Sequence, residues 1–296
     1  MRFIVGYMAT PSGEDGLSLG VLIARSLGAA IDICLVIPPE HTVPARVPAD
    51  PGYEGVLVEH AREWLAEAHK AVPDDVEAQT HLSVHDSPAQ GLLNEATRLE
   101  AQLIVVGAAE HGLLGRHSLG TVSTELLHSS HVPVVLAPRG IRHSKVGRVR
   151  ELTCAIGTEP GSDADVLLRT AVGACEQLHT PLRLVSLVVV GHSLLGLRGA
   201  RAQADEAELQ SARERLEAAR SVVPPEVPVT TEIVQGATVE SAISNLEWHD
   251  GDMLMVGSSR LAAARRLFLG SKAAKMLRVI PVPMVVVPNL EPVESE

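Results

Sequence analysis

Short apolar runs rich in β-branched residues alternate along this chain with stretches whose apolar positions recur at helical spacing. Arg2 to Met8 is apolar enough for a strand. Leu17, Val21, Leu22, Ala24 and Leu27 then mark one face of a helix that stops at Gly28, a C-cap residue. Ile31 to Ile37 reads as the next strand, and Glu54 to Val72 as an amphipathic helix after a proline-rich loop (Pro38, Pro39, Pro44, Pro48, Pro51). A half-exposed strand over Val76–Val84 precedes Ser87-Pro88, an N-cap followed by a first-turn proline, and a helix to about Glu100. Leu103-Ile104-Val105-Val106-Gly107 is apolar throughout, as a strand buried on both faces must be. Gly120-Thr121 opens a helix over Val122–Ser129, and Val132 to Ala137 is the last strand of the set.

The order then repeats. Strands are predicted at Leu152–Ile156, Leu182–Val190, Val227–Val234, Met253–Gly257 and Pro283–Val287. Helices are predicted at Ala164–Leu178, Gly199–Val222 and Thr238–Trp248, with another from Gly270. Gly107 and Gly257 are 150 residues apart, as are Gly120 and Gly270, and Pro133 and Pro283. A duplicated β-α-β-α-β-α-β-α-β unit predicts an α/β fold. Its two doubly wound domains would each have a five-stranded parallel sheet with helices on both faces. The first domain is read as residues 1–140, the second as 150–290, and the basic, polar segment 141–149 as the linker.

Composition narrows the chemistry. Aromatic residues make up 2% of the 296, so the cores must be built from Ala, Val, Leu and Ile. The formal charge of −11 argues against nucleic acid as a partner, because phosphate backbones need a basic surface. No apolar run approaches a membrane span, and the N-terminus enters a strand without a signal-peptide pattern. Both observations predict a cytoplasmic protein that does not engage a membrane. Cys34, Cys154 and Cys175 are too scattered for a disulfide framework or a zinc site.

Few other residues suggest chemistry. His128 and His131 read as a solvated helix end, and His81 and His85, four apart in a strand, stand roughly 13 Å from each other. Neither pair predicts a metal site. The charged run Gln203–Arg220, with Leu209 and Leu216 on one stripe, reads as a solvated helix face. A partner-binding helix is the alternative. Walker, dinucleotide, zincin and hydrolase-elbow motifs are absent. Ser12, Ser118 and Ser123 have no identifiable base, so an enzyme is not expected.

The "LIVVG" strand, the Gly-Thr or Gly-Ser helix start and the closing "VPVVLAP" or "VPMVVVP" strand resemble universal stress protein domains. The whole chain resembles a tandem member of that family. The resemblance implies a stress-response regulator whose halves pair through their last strands as an internal pseudo-dimer. It also implies a homodimer of chains and an unidentified protein partner. The ATP-binding branch of the family shares G-x2-G-x9-G-[ST]. On this chain the pattern falls on Gly107, Glu110, Gly120 and Thr121, and again on Gly257, Arg260, Gly270 and Ser271. The branch also carries an aspartate for the nucleoside at the end of the first strand, where this chain is read as having Met8 and Ile156.

The nucleotide-contacting residues implied are therefore Gly107, Gly120, Thr121 and Ser123 in the first half, and Gly257, Arg260, Gly270 and Ser271 in the second, where Ala273 replaces Ser123. Losing a polar partner costs a buried ligand about 1–3 kcal/mol. Glu110 would repel phosphate, whereas Arg260, with Arg265, Arg266 and Lys272 near it, can pair with phosphate. The expected cofactor is ATP or another adenine nucleotide, bound weakly and mainly through its phosphates, with Mg²⁺ only in its company. The alternative is an interaction module without a ligand.

Overall fold

A computed structural model describes residues 1–39, 53–108, 119–157, 162–190, 198–258 and 267–288. The chain divides into two compact units, with Arg148 in the first and Val149 in the second. The first unit contains β1 (Arg2–Gly6), α1 (Pro11–Leu27), β2 (Ala30–Ile37), α2 (Tyr53–Lys70), β3 (Ala78–Val84), α3 (Pro88–Arg98), β4 (Ile104–Gly107), α4 (Thr121–Ser129) and β5 (Val134–Ala137). The second contains β6 (Glu151–Ala155), α5 (Ser162–Leu178), β7 (Leu182–Val189), α6 (Arg198–Ser221), β8 (Val229–Gly236), α7 (Val239–Ser244), β9 (Asp252–Gly257), α8 (Ser271–Leu277) and β10 (Met284–Val287). Strand order is β3-β2-β1-β4-β5 in the first unit and β8-β7-β6-β9-β10 in the second. Every pairing within a unit is parallel. Both units are thus doubly wound α/β domains.

Neighbouring residues of β1 show that helices cover both faces. Val5 lies against Gly20 of α1, whereas a Cβ on Gly6 would meet Leu92 of α3. Side chains of adjacent strand residues point to opposite faces, so α1 and α3 flank the sheet. Phe3, Ile4, Ile31, Ile33 and Ile104 are fully buried, as are Leu152, Leu182 and Leu184 of the second unit. The outer strands β3 and β8 are largely exposed and polar, which suits sheet edges. Among the described residues no helix is long and apolar enough to cross a membrane.

Local signals explain where α1 begins and ends. Thr10 caps it from extended backbone, accepting a hydrogen bond from Gly13 N–H at 3.2 Å. Pro11 occupies the first turn, and Gly28 ends the helix in the left-handed region (φ 62°). The predicted helix Thr238–Trp248 is shorter than its pattern, because α7 stops at Ser244. The Trp248 indole N–H donates to Ile243 O, and Asn245 Nδ2 to Gln235 O, so the chain turns back instead of continuing.

The constant spacing of 150 holds in part only. β4 and β9 match at that spacing, yet Val5 stands beside Val105 while Cys154 stands beside Met255, so the first strands correspond at 149. Tyr7 N–H donates to Cys34 O and Ile156 N–H to Val185 O, each at 2.8 Å, so the second strands correspond at 151. Tyr7 and Ile156 are therefore structural equivalents. The equivalent of Met8 is Gly157, which corrects the pairing of Met8 with Ile156.

Segment 141–149, expected to be a plain linker, begins with a 3-10 turn at Ile141–His143. Asp15, 1% exposed on α1, holds that turn. Its carboxylate accepts from Gly140 N–H (2.9 Å) and Arg142 N–H (3.1 Å) and pairs with the Arg142 guanidinium at 2.9 Å. A basic, polar stretch can dock when a buried carboxylate takes up its amides. Asp15→Asn should cost the first unit about 1.5–3 kcal/mol, the scale of hydrogen bonds to a charged group. It should also speed tryptic cleavage after Arg142. Unchanged cleavage would mean the turn is held by other contacts.

The cysteines are unpaired and buried. Burial pushes all three thiols up, that of Cys175 to about 12, so each stays protonated at mildly alkaline pH. Ellman's reagent should find no reactive thiol in the folded protein and all three in denaturant. Labelling of the native protein would show that a cysteine becomes exposed.

Candidate functional site

In a doubly wound sheet the ligand cleft opens at the carboxyl ends of the two strands where the order reverses. Here those strands are β1 and β4 in the first unit and β6 and β9 in the second. The amides beyond β4 and β9 continue the ladder: Ala108 N–H donates to Ala137 O, and Ser258 N–H to Val287 O. Glu110, Arg260, Arg265 and Arg266, whose charges entered the sequence expectation, lie outside the described residues.

The first cleft is tight on its inner side. A Cβ on Gly107 would stand 1.9 Å from Ser12 O and 2.6 Å from Ser12 Oγ, and one on Gly13 would stand 1.9 Å from Met8 O. The turn that starts α1 is seated on the end of β4, and only glycine permits this approach. Met8 itself is 53% exposed. In the second unit, among the described residues, the neighbours nearest a Cβ on Gly257 are Leu167 Cδ2 and Cβ, at 3.6 and 3.9 Å, an ordinary contact. Packing among the described residues accounts for the glycine at 107 but not at 257.

The outer wall is the N-terminus of α4 or α8. Gly120 and Gly270 are the N-caps, both extended (φ −82° and −65°), and no side chain caps either helix. Thr121 and Ser271 are the first helical residues, one position too late to cap. Both side chains are exposed. Neither N-cap residue supplies a side-chain acceptor to the first-turn N–H groups. Ser123 is 4% exposed, so its hydroxyl faces the interior.

Charge separates the two walls. Glu125, one turn into α4, is fixed by Ser87, whose hydroxyl donates to its carboxylate at 2.9 and 3.0 Å. Ser87 Oγ also accepts from Gln90 N–H to cap α3. The residue 150 further on is Lys275, exposed on α8, with Lys272 exposed beside Ser271. One wall is thus acidic and the other basic. Lys275 was overlooked in the sequence reading, although the repeat places it opposite Glu125.

The histidines have local partners. His81 Nδ1 accepts from Arg98 (3.1 Å), which leaves its proton on Nε2 facing Asp32 Oδ1 at 2.7 Å. His85 Nδ1 accepts from Ser87 N–H, and His128 Nδ1 lies 2.6 Å from Thr124 O. Among the described residues no group of three or more His, Cys, Asp or Glu could hold a metal.

The universal stress protein family model matches residues 1–138 and again 153–288. Universal stress proteins of Mycobacterium tuberculosis (strain ATCC 25618 / H37Rv) and Mycobacterium bovis are each 31% identical to this chain over 296 residues. The matches cover 98% of this chain and 100% of each relative. Among solved structures, a universal stress protein from Archaeoglobus fulgidus DSM 4304 superposes with a TM-score of 0.67 at 17% identity, covering 98% of both chains. A protein described as a putative universal stress protein, from Pseudomonas aeruginosa UCBPP-PA14, gives 0.58 at 15%, over 98% of this chain and 93% of that one. At those identities the likeness is one of fold.

Proposed function

The chain belongs to the universal stress protein family, as a tandem member, and from that premise we propose a cytoplasmic, non-enzymatic stress-response regulator. It takes an adenine nucleotide weakly, through its second unit. The observation that carries this reading is the contrast between Lys272 and Lys275 on α8 and Glu125 on α4. Gly270 at the N-cap of α8, which has no side chain to occupy the first-turn N–H groups, adds to it. These residues suit the phosphates of ATP, with Mg²⁺ arriving only with them. They offer less to the nucleoside, since Met8 and Gly157, where the first strands end, carry no carboxylate. Attraction then comes mainly from phosphate charge. The two units would pair internally as a pseudo-dimer, two chains would form a homodimer, and a protein partner would read the nucleotide state.

Calorimetry with ATP and Mg²⁺ tests the reading. Affinity should fall from ATP to ADP to AMP and fall again with added salt. Lys272→Glu with Lys275→Glu should weaken ATP by about three- to tenfold, the scale of exposed ion pairs, while Glu125→Gln changes little or strengthens binding. No heat at millimolar ATP would overturn the nucleotide reading in favour of an interaction module. Light scattering showing a strict monomer would remove the homodimer.

A further inference from the structure

A groove of about 650 Å³ runs between α1 and the last turns of α2, with the Ile141–Val146 segment along its rim. It lies on the face of the sheet that carries α1, opposite the face covered by α3. Its size falls within the range of small-molecule sites. Leu17, Val21 and Ala68 line it with hydrocarbon, and Tyr7, Glu14 and Glu67 supply polar groups.

The charges facing the groove are not balanced. Arg25 is held by Asp75 at 2.9 Å, and Arg142 by Asp15 at 2.9 Å and Glu14 at 3.4 Å. An anion entering here would have to displace a carboxylate from an arginine. Glu67 has no cationic partner among the described residues, and the Tyr7 hydroxyl has no hydrogen bond there. Burial, then Glu14 and Glu67, raise the Tyr7 phenol, so it stays neutral and can accept a hydrogen bond.

We propose that this groove binds a small organic cation. Its ammonium would meet the Glu67 carboxylate and the Tyr7 hydroxyl, and its apolar body would lie along Leu17, Val21 and Ala68. A primary ammonium supplies the donors that both oxygens lack, and a charge-assisted contact to carboxylate is the strongest one open to it. The hydrocarbon body gains by leaving water for the aliphatic wall. The site is independent of the nucleotide reading.

The test is titration of the full chain with 2-phenylethylamine, followed by amide chemical shifts, beside phenylacetate as a probe of similar body and opposite charge. The amine should bind saturably and move the amides around Tyr7 and Glu67, and phenylacetate should not. Glu67→Gln, an exposed change, should weaken the amine by about two- to fivefold, the scale of an exposed ion pair. Ala71→Trp, an exposed lining position, should abolish binding by filling the groove while leaving every charge in place. Saturating ATP should neither compete with the amine nor lose affinity in Glu67→Gln, so failure of one site is distinguishable from failure of the other. Absence of saturable amine binding would overturn the proposal. So would equal binding of phenylacetate, or a Glu67→Gln protein that binds the amine as well as the parent does.

Discussion

Alanine at Gly107 should destabilise the first unit by about 2–4 kcal/mol. The added methyl at 107 would overlap the carbonyl and hydroxyl of Ser12, and the first of these is backbone. The strand end cannot give way, because Gly107 pairs with Ala137 in the ladder. Nor can the turn recede easily, since Thr10 caps it and Gly13 is pressed onto Met8 O. Denaturant titration of Gly107→Ala against the parent, read on the first unit's transition, measures the loss. A cost under about 1 kcal/mol would mean that seating α1 on β4 contributes little.

Removing the carboxylate of Asp32 should be costlier, about 3–5 kcal/mol for Asp32→Ala, the range for breaking a buried ion pair. Asp32 is fully buried on β2, between Arg2 of β1 (2.9 and 3.1 Å) and His81 of β3 (2.7 Å). It therefore ties three adjacent strands at their side chains as well as their backbones. Alanine would leave the guanidinium and the imidazole N–H facing a cavity. Asp252, also fully buried, starts β9 in the second unit and grips Arg150, just before β6, at 2.6 and 2.8 Å and the amide of His249, in the turn before β9, at 2.8 Å. Double-mutant cycles of Asp32 with Arg2 and of Asp32 with His81 would apportion the loss. A cost under about 1 kcal/mol would place these pairs with ordinary surface ion pairs.

The apolar periodicity carries most of the fold. Leu103–Gly107 and Met253–Gly257 had to be buried strands because nothing polar interrupts them, and β4 and β9 fall there. Ser87-Pro88 stated where α3 begins, and Ser87 caps it as that dipeptide predicts. Asp15, Asp32 and Asp252 left no such trace. Asp32 is an isolated acid in an apolar strand, but Asp15 and Asp252 lie near other acids, and the arginine that each one grips is 30 to 127 residues away in sequence. Of the candidate site, the glycines and helix starts could be read directly. The seating of Ser12 on Gly107 could not, since it depends on how closely two backbones approach. The equivalence of Tyr7 and Ile156, 149 residues apart, cannot be read from a constant spacing of 150. A length that holds at the fourth strand conceals opposite slips at the first and second.

Those slips set the rules for exchanging parts between the halves. A graft that copied the second unit into the first by subtracting 150 throughout would enter β1 one residue early. In a strand one residue is a half-turn of the side-chain pattern, so the hydrocarbon of Phe3 and Val5 would be replaced by groups meant for the opposite face. Joins made inside β4 or β5 keep both halves in phase, because Gly107 with Ala137 and Gly257 with Val287 preserve one count. A chimera carrying α8 in place of α4 on the first unit, cut at those strands, would transplant the lysines without turning a strand over. Whether it acquires affinity for ATP would show how much of the second unit's character resides in one short helix.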